Sequence, residues 1–96
     1  MGHKVIFAPQ AIERLAEIVR YIARDNPSAA EKLGLRLVNQ AGLLTDFPEI
    51  GRPYRQRANV RRLLCKPYFI YYRLRPEQQV VEIMDYWHTA RREPEI

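Results

Sequence analysis

The spacing of apolar residues changes once along this chain, and the change limits what it can fold into. From Pro9 to about Arg24, Ile12, Leu15, Val19 and Ile22 recur every three or four positions, and Ala11, Ala16 and Ile18 widen the stripe. From about Pro27 to Asp46, Ala30, Leu33, Leu37, Ala41 and Leu44 repeat the pattern. Both stretches have the periodicity of amphipathic helices. Beyond Asp46 it is lost, and three β-rich runs follow at Val60–Lys66, Tyr68–Leu74 and Val80–Trp87. The chain must therefore put helices and a sheet around one core.

Local signals set the boundaries. Lys4–Ala8 is a short, partly β-branched strand. Pro9 and Pro27 suit the first turn of a helix, and Asn26 suits the cap before the second. Gly34 and Gly42 lower helix propensity by about 1 kcal/mol each relative to alanine. Close packing of the two helices would explain them, and so would ordinary tolerance. "FPEIGRPYRQRAN" is a Pro/Gly-bearing loop, and "KP" and "RPEQQ" are turns between the runs. The expected fold is α+β in the order β-α-α-β-β-β. A helical hairpin at about 9–46 packs on one face of an antiparallel sheet. The sheet is a meander at about 60–87, extended at an edge by the first strand. A polar tail occupies 88–96.

With 96 residues the chain is one domain, 1–96, large enough to hold a core without staples. Cys65 is the lone cysteine, which removes a disulfide framework and a cysteine metal motif and fits a reducing cytoplasm. The apolar run in "MGHKVIFAPQ" is too short for a signal peptide, and no stretch approaches a membrane span. Met1–Gly2–His3 reads equally as native sequence or as a cloning remnant. His88 has no second histidine near it in sequence, so zinc is unsupported. Neither a Gly-rich phosphate loop nor a nucleophile elbow is present. No metal and no cofactor is expected.

Charge is more informative. The net charge is +5, and Arg52–Arg75 holds eight basic residues and no acidic one. Such a window suits an acidic partner, either nucleic acid or an acidic protein segment. A solvated, solubilising run is the alternative.

Alternation divides the central strand into Tyr68, Ile70, Tyr72 and Leu74 on one face and Phe69, Tyr71 and Arg73 on the other. The first set is the more apolar and is expected under the helices. Phe69 and Tyr71 then form an open patch, unless the tail or loop covers them. Arg62 shares its parity with Val60 and Leu64, so Arg61 is expected on the open face. Tyr86 and Trp87 read as core. Metal-free RNA cleavage needs a base, an acid and cations on the phosphate. His88 or a tyrosine, with Arg61, Arg62, Arg91 and Arg92, would supply that inventory. His88 reads equally as a structural residue at a strand end, its spacing to Arg91 fixing the tail.

The ordered set "VIFAPQAIERLAEIVRYIARDNPSAAEKL", "LLTDFPEIGRP", "VRRLLCKPYFIYYRL" and "VVEIMDYWHTARRE" resembles the RelE/ParE superfamily of type II toxin–antitoxin toxins. "DNPSAA", "FPEIGRP" and His88-x-x-Arg91 are similar to its ParE branch, often called plasmid stabilisation proteins. The resemblance implies the β-α-α-β-β-β fold and a cognate antitoxin, an acidic protein with a DNA-binding N-terminus. It also implies one of two activities. RelE-like members are ribosome-dependent endoribonucleases acting on mRNA, whereas ParE-like members poison DNA gyrase without a known catalytic role. Nuclease members carry an arginine on the central strand where Phe69 stands here, and a basic residue where Asp85 stands. The expectation is thus a ParE-like, gyrase-binding toxin. Its target contacts are expected at Arg57, Arg61, Phe69, Tyr71, Arg73, His88, Arg91 and Arg92. The antitoxin is expected over the helical hairpin 9–46 and the open sheet face at Phe69 and Tyr71. An endoribonuclease using Arg61, Arg62, His88 and Arg91 is the second reading, and a non-toxic binding module of the same fold is the third.

Overall fold

A computed structural model describes residues 2–55, 57–94 and 96. Met1 of the N-terminal extension, Gln56 of the basic loop and Glu95 of the tail lie outside the described residues. Strand β1 (Lys4–Phe7) leads into helix α1 (Pro9–Ala23) and helix α2 (Pro27–Gly42), which ends in a 3₁₀ turn at Leu43–Thr45. A two-residue strand β2 (Arg52–Pro53) follows, then β3 (Val60–Cys65), β4 (Tyr68–Arg75) and β5 (Val80–His88). Among the described residues no helix is long and apolar enough to cross a membrane.

The sheet order is β1-β5-β4-β3-β2. β3, β4 and β5 form the expected antiparallel meander. β1 extends it at an edge, as expected, but runs parallel to β5, with Lys4 opposite Val80 and Phe7 opposite Ile83. The sheet is therefore mixed. Parallel neighbours need a long crossover, and here all the chain between β1 and β5 serves as one. β2 pairs Arg52 with Arg62 and Pro53 with Arg61. Proline is tolerated there because β2 is an edge strand.

The hairpin forms for the local reasons read from the sequence. The Asn26 side chain accepts a hydrogen bond from Ala29 N at 3.0 Å. Ala30, Leu33, Leu37, Ala41 and Leu44 are all buried. In α1 the stripe is rotated from the one expected. Ala11 and Ile18 are buried, Leu15 and Ile22 pack against the core, and Ile12 is 57% exposed. Gly34 marks the close approach of the helices, since a Cβ there would lie 3.1 Å from Val19 Cγ2, whereas one on Gly42 would meet nothing within 4 Å.

The core under the helices takes Ile70 and Tyr72 from β4, Val81, Ile83 and Tyr86 from β5, and Cys65 from β3. The pairing shifts at one point: Tyr71 is opposite Asp85 but Tyr72 is opposite Ile83, so Met84 is an extra residue. This bulge reverses the alternation of β5. Val81 and Ile83 face the helices before it, and Tyr86 does so after it.

Asp85, just past the bulge, is 3% exposed. Its carboxylate accepts hydrogen bonds from Arg14 Nε at 3.0 Å, Gln10 Nε2 at 2.8 Å and Tyr86 N at 2.8 Å. The Asp85 hydrogen bond pushes Arg14 above the ordinary guanidinium range. Removing one partner of a buried pair costs about 3–5 kcal/mol. Because Arg14 keeps some solvent access, Asp85→Ala is expected at the low end, about 3 kcal/mol. In a domain of this size that lowers the thermal midpoint by about 12–24 °C, which a circular-dichroism melt will show.

A second prediction concerns alkaline pH. Burial pushes the Tyr71, Tyr72 and Tyr86 phenols up. The folded state thus keeps protons that the unfolded chain, with tyrosines near 10, gives up. Stability from these groups is fully present below about pH 10 and falls as pH rises above it. Tyrosinate absorbance is expected to rise together with loss of helical ellipticity, not before it.

Candidate functional site

The face of the sheet away from the helices is not open. Tyr71 has no exposure and lies in a second cluster with Tyr54 and Val60, backed by Phe69, Met84, Trp87 and Ile96. The Tyr54 and Tyr71 rings meet edge to face at 4.9 Å. The tail closes over them. Tyr54 OH donates to Pro94 O at 3.2 Å, Trp87 Nε1 donates to Arg92 O at 2.7 Å, and Pro94 is buried. The expected Phe69–Tyr71 patch is therefore corrected: the tail covers Tyr71, and Arg62 roofs the half-buried Phe69 at 4.1 Å from its centroid.

The arginine on this outer face is Arg62, not Arg61. Val60 belongs to the outer cluster, whereas Leu63 and Cys65 pack under the helices, so the parity assumed for β3 is inverted. Arg62 Nη1 donates to Tyr71 OH and to Glu93 Oε2, each at 3.2 Å. Arg55, over the Tyr54 ring at 5.2 Å, pairs with the other oxygen of Glu93.

Arg61 instead donates to Gly51 O at 2.7 Å and Glu49 O at 3.1 Å. It braces the loop that carries "FPEIGRP". Tyr72 OH works on the same loop, accepting from Gly51 N and donating to Pro48 O, both at 2.9 Å. A Cβ on Gly51 would lie 2.6 Å from Tyr72 Oη and 2.8 Å from Arg62 O. Only glycine fits this close approach.

His88 and Arg91 fix the start of the tail. His88 Nδ1 accepts from Ala90 N at 3.0 Å, and Arg91 N donates to His88 O at 3.1 Å. The Arg91 guanidinium lies 4.0 Å from the Trp87 ring, and Arg14 approaches the same ring at 4.9 Å. Tyr86 is buried core, but Trp87 is only half-buried. Of the other expected target contacts, Arg57 and Arg92 are exposed, and Arg73 is half-buried opposite Val60 and Glu82.

One feature was missed by reading the sequence. A groove of about 1030 Å³ runs between α1 and the His88 end of the sheet. Arg14, Arg20, Arg24, Arg91 and His88 line it with Tyr21, Tyr68 and Tyr86, and Glu17 is the acidic residue among its described lining. Arg20 and Arg24 are not among the contacts expected from the sequence. Tyr21, 71% exposed, was the available signal: a large aromatic amid basic residues, off the apolar stripe. The outer side of the hairpin is different in kind, exposing Leu35, Val38, Leu43 and Phe47.

The residues expected for RNA cleavage are only partly gathered: His88 and Arg91 line the α1 groove together, and Arg61 and Arg62 stand apart from them. Arg62 faces the outer side. Arg61, opposite Tyr72, and His88, opposite Tyr68, share the helix side. Four residues of β4 separate them, about 13 Å at strand rise. Asp85, at the position where nuclease members carry a basic residue, is buried and paired with Arg14, so it does not face a surface phosphate.

Comparison with known proteins accords with this architecture. The family described as "ParE toxin of type II toxin-antitoxin system, parDE" matches residues 5–93. Toxin RelE2 of Caulobacter vibrioides is 34% identical over 89 residues, covering 92% of this chain and 97% of that protein. The chromosomal ParDE system from P. aeruginosa contains a chain of the same fold (TM-score 0.77, 20% identity, 90% of this chain and 95% of that one). So does the toxin–antitoxin complex RelBE2 from Mycobacterium tuberculosis (TM-score 0.71, 23% identity, 92% and 99%). The match spans nearly the whole chain, and on that ground it belongs to the ParE toxin family of type II toxin–antitoxin systems.

Proposed function

We propose that this toxin acts by binding rather than by cutting RNA, that its target is DNA gyrase, and that a cognate antitoxin restrains it. The observation that carries the first part is the division of Arg61, Arg62 and His88 between two faces and two ends of the sheet. Base, acid and cations must all reach one and the same phosphorane. Here each candidate is engaged in holding a loop or the tail. Gyrase as the target follows from the ParE resemblance and is supported by a basic surface suited to an enzyme–DNA complex.

The α1 groove is where an acidic antitoxin segment fits best. It joins four arginines and a histidine to tyrosine faces, combining charge complementarity with aromatic area. The relatives solved as toxin–antitoxin complexes support such a partner. In this reading the toxin is a cytoplasmic protein.

Two measurements test the proposal. Purified toxin is expected to inhibit gyrase supercoiling and accumulate cleaved DNA. Unimpaired supercoiling at large toxin excess would remove gyrase as the target. Ribosome-bound mRNA cut at codon boundaries, with cutting lost in His88→Ala, would establish the nuclease reading in its place. Separately, the double variant Arg20→Glu/Arg24→Glu is expected to weaken antitoxin binding by at least about tenfold, because like charges across an interface cost several kcal/mol. Its melting temperature should barely move, since both arginines are exposed. Titration calorimetry against the purified antitoxin reads this out.

A further inference from the structure

A second concentration of arginine lies on the outer face of the sheet, apart from the α1 groove. Arg55, Arg57 and Arg92 line a hollow of about 590 Å³ beside the tail. Arg62 reaches the same place from β3 through its contact with Glu93. Glu93 sits among these four, with one carboxylate oxygen on Arg55 and the other on Arg62.

Stability alone does not account for this arrangement. The Arg55 and Glu93 side chains are 60% and 46% exposed, and ion pairs that exposed contribute little to folding. The cations are nonetheless held in place. Arg62 lies over the Phe69 ring at 4.1 Å and the Tyr54 ring at 5.5 Å, while donating to Tyr71 OH. Arg55 stacks on Tyr54 from a left-handed backbone position, φ 54°, where a non-glycine residue is strained. Such strain tends to gather at ligand clamps. A guanidinium stacked by its face on a ring presents its N–H edge, and that edge matches carboxylate and phosphate alike.

We propose that this hollow is a binding site for the phosphodiester backbone of a nucleic acid, and that Glu93 holds it closed in the free chain by occupying Arg55 and Arg62. The surrounding charge decides for a polyanion over a single acidic side chain. Arg57 and Arg92 flank the bridged pair, and the Arg52–Arg75 window around it has no acid in sequence. Withdrawing the Glu93 side chain alone would leave four cations for successive phosphates. The site concerns nucleic acid itself, so it stands or falls separately from gyrase as the target.

The test uses the full chain with a labelled short DNA duplex, or a single-stranded RNA of equal length, and follows fluorescence anisotropy as salt is raised. Glu93→Gln keeps the tail's size and removes its charge. It is expected to bind at least about fivefold more tightly than wild type, with the log–log salt slope steeper by about one to two, because two more cations meet phosphates. Glu31→Gln makes the same charge change on the exposed side of α2 and is expected to alter affinity by less than about twofold and leave the slope unchanged. Adding Arg55→Gln to Glu93→Gln should cancel most of the gain. A gain on the duplex assigns the site to DNA, and a gain on the single strand assigns it to RNA. The proposal is overturned if Glu93→Gln behaves like Glu31→Gln on both probes. It is equally overturned if Glu93→Gln tightens binding only to a poly-glutamate peptide.

Discussion

The carboxylate of Asp85 ties the molecule together where helix, strand and tail meet. It accepts from Arg14 and Gln10 of α1 and from the backbone of Tyr86. An ionised carboxylate withdrawn from water is costly unless it is paired and hydrogen-bonded, so the N-terminal half of α1 must stay against β5. That placement sets Arg14 beside Trp87, whose ring also receives Arg91 and whose indole N–H holds Arg92 O. The course of the tail follows from that anchoring. The α1 groove and the tail-covered hollow both descend from this junction, one on each side of the strand end.

The Met84 bulge decides which large side chain of β5 enters the core beside this junction. A regular β5 would send Val81, Ile83, Asp85 and Trp87 to one face. With one residue inserted, Val81 and Ile83 face the helices, then Tyr86 does, while Trp87 turns to the outer cluster. The bulk of Tyr86 thus fills the core, while Asp85 still meets α1. No signal in "VVEIMDYWH" announces this. A bulge depends on how the partner strand accommodates it, and β4 presents Tyr71 and Tyr72 in succession at that point.

What was legible in the sequence was local. The α2 stripe, the Asn26 cap, the three long strands and the loop with its glycine are each set by residues close in sequence. The β1–β5 pairing joins the two ends of the chain, and alternation carries no information about which strand lies alongside or in which direction. The inverted parity of β3 has a related cause. Val60 and Leu64 looked like core residues, and Val60 is one, but its core is the outer cluster built by Tyr54 and the tail. Alternation identifies two faces. It does not say that a distant segment will cover the second, and so Phe69 and Tyr71 were read as open and Arg62 as hidden.

The chemistry of the charge supports recognition over solubility. Of the 16 basic residues, 13 are arginine and 3 are lysine. Solubility asks only for charge of mixed sign, and lysine supplies it as well. Arginine differs in being planar, stackable and able to donate two parallel hydrogen bonds. Here the difference is used repeatedly: Arg14 and Arg91 on Trp87, Arg62 on Phe69, Arg55 on Tyr54. Each of these contacts fixes a guanidinium before any partner arrives, which lowers the ordering cost of binding an anion. Trp87, Phe69 and Tyr54 thus serve as platforms for these cations. A protein arranged in this way holds its cations ready for anions, and its own Glu17 and Glu93 already lie among the two groups of arginines.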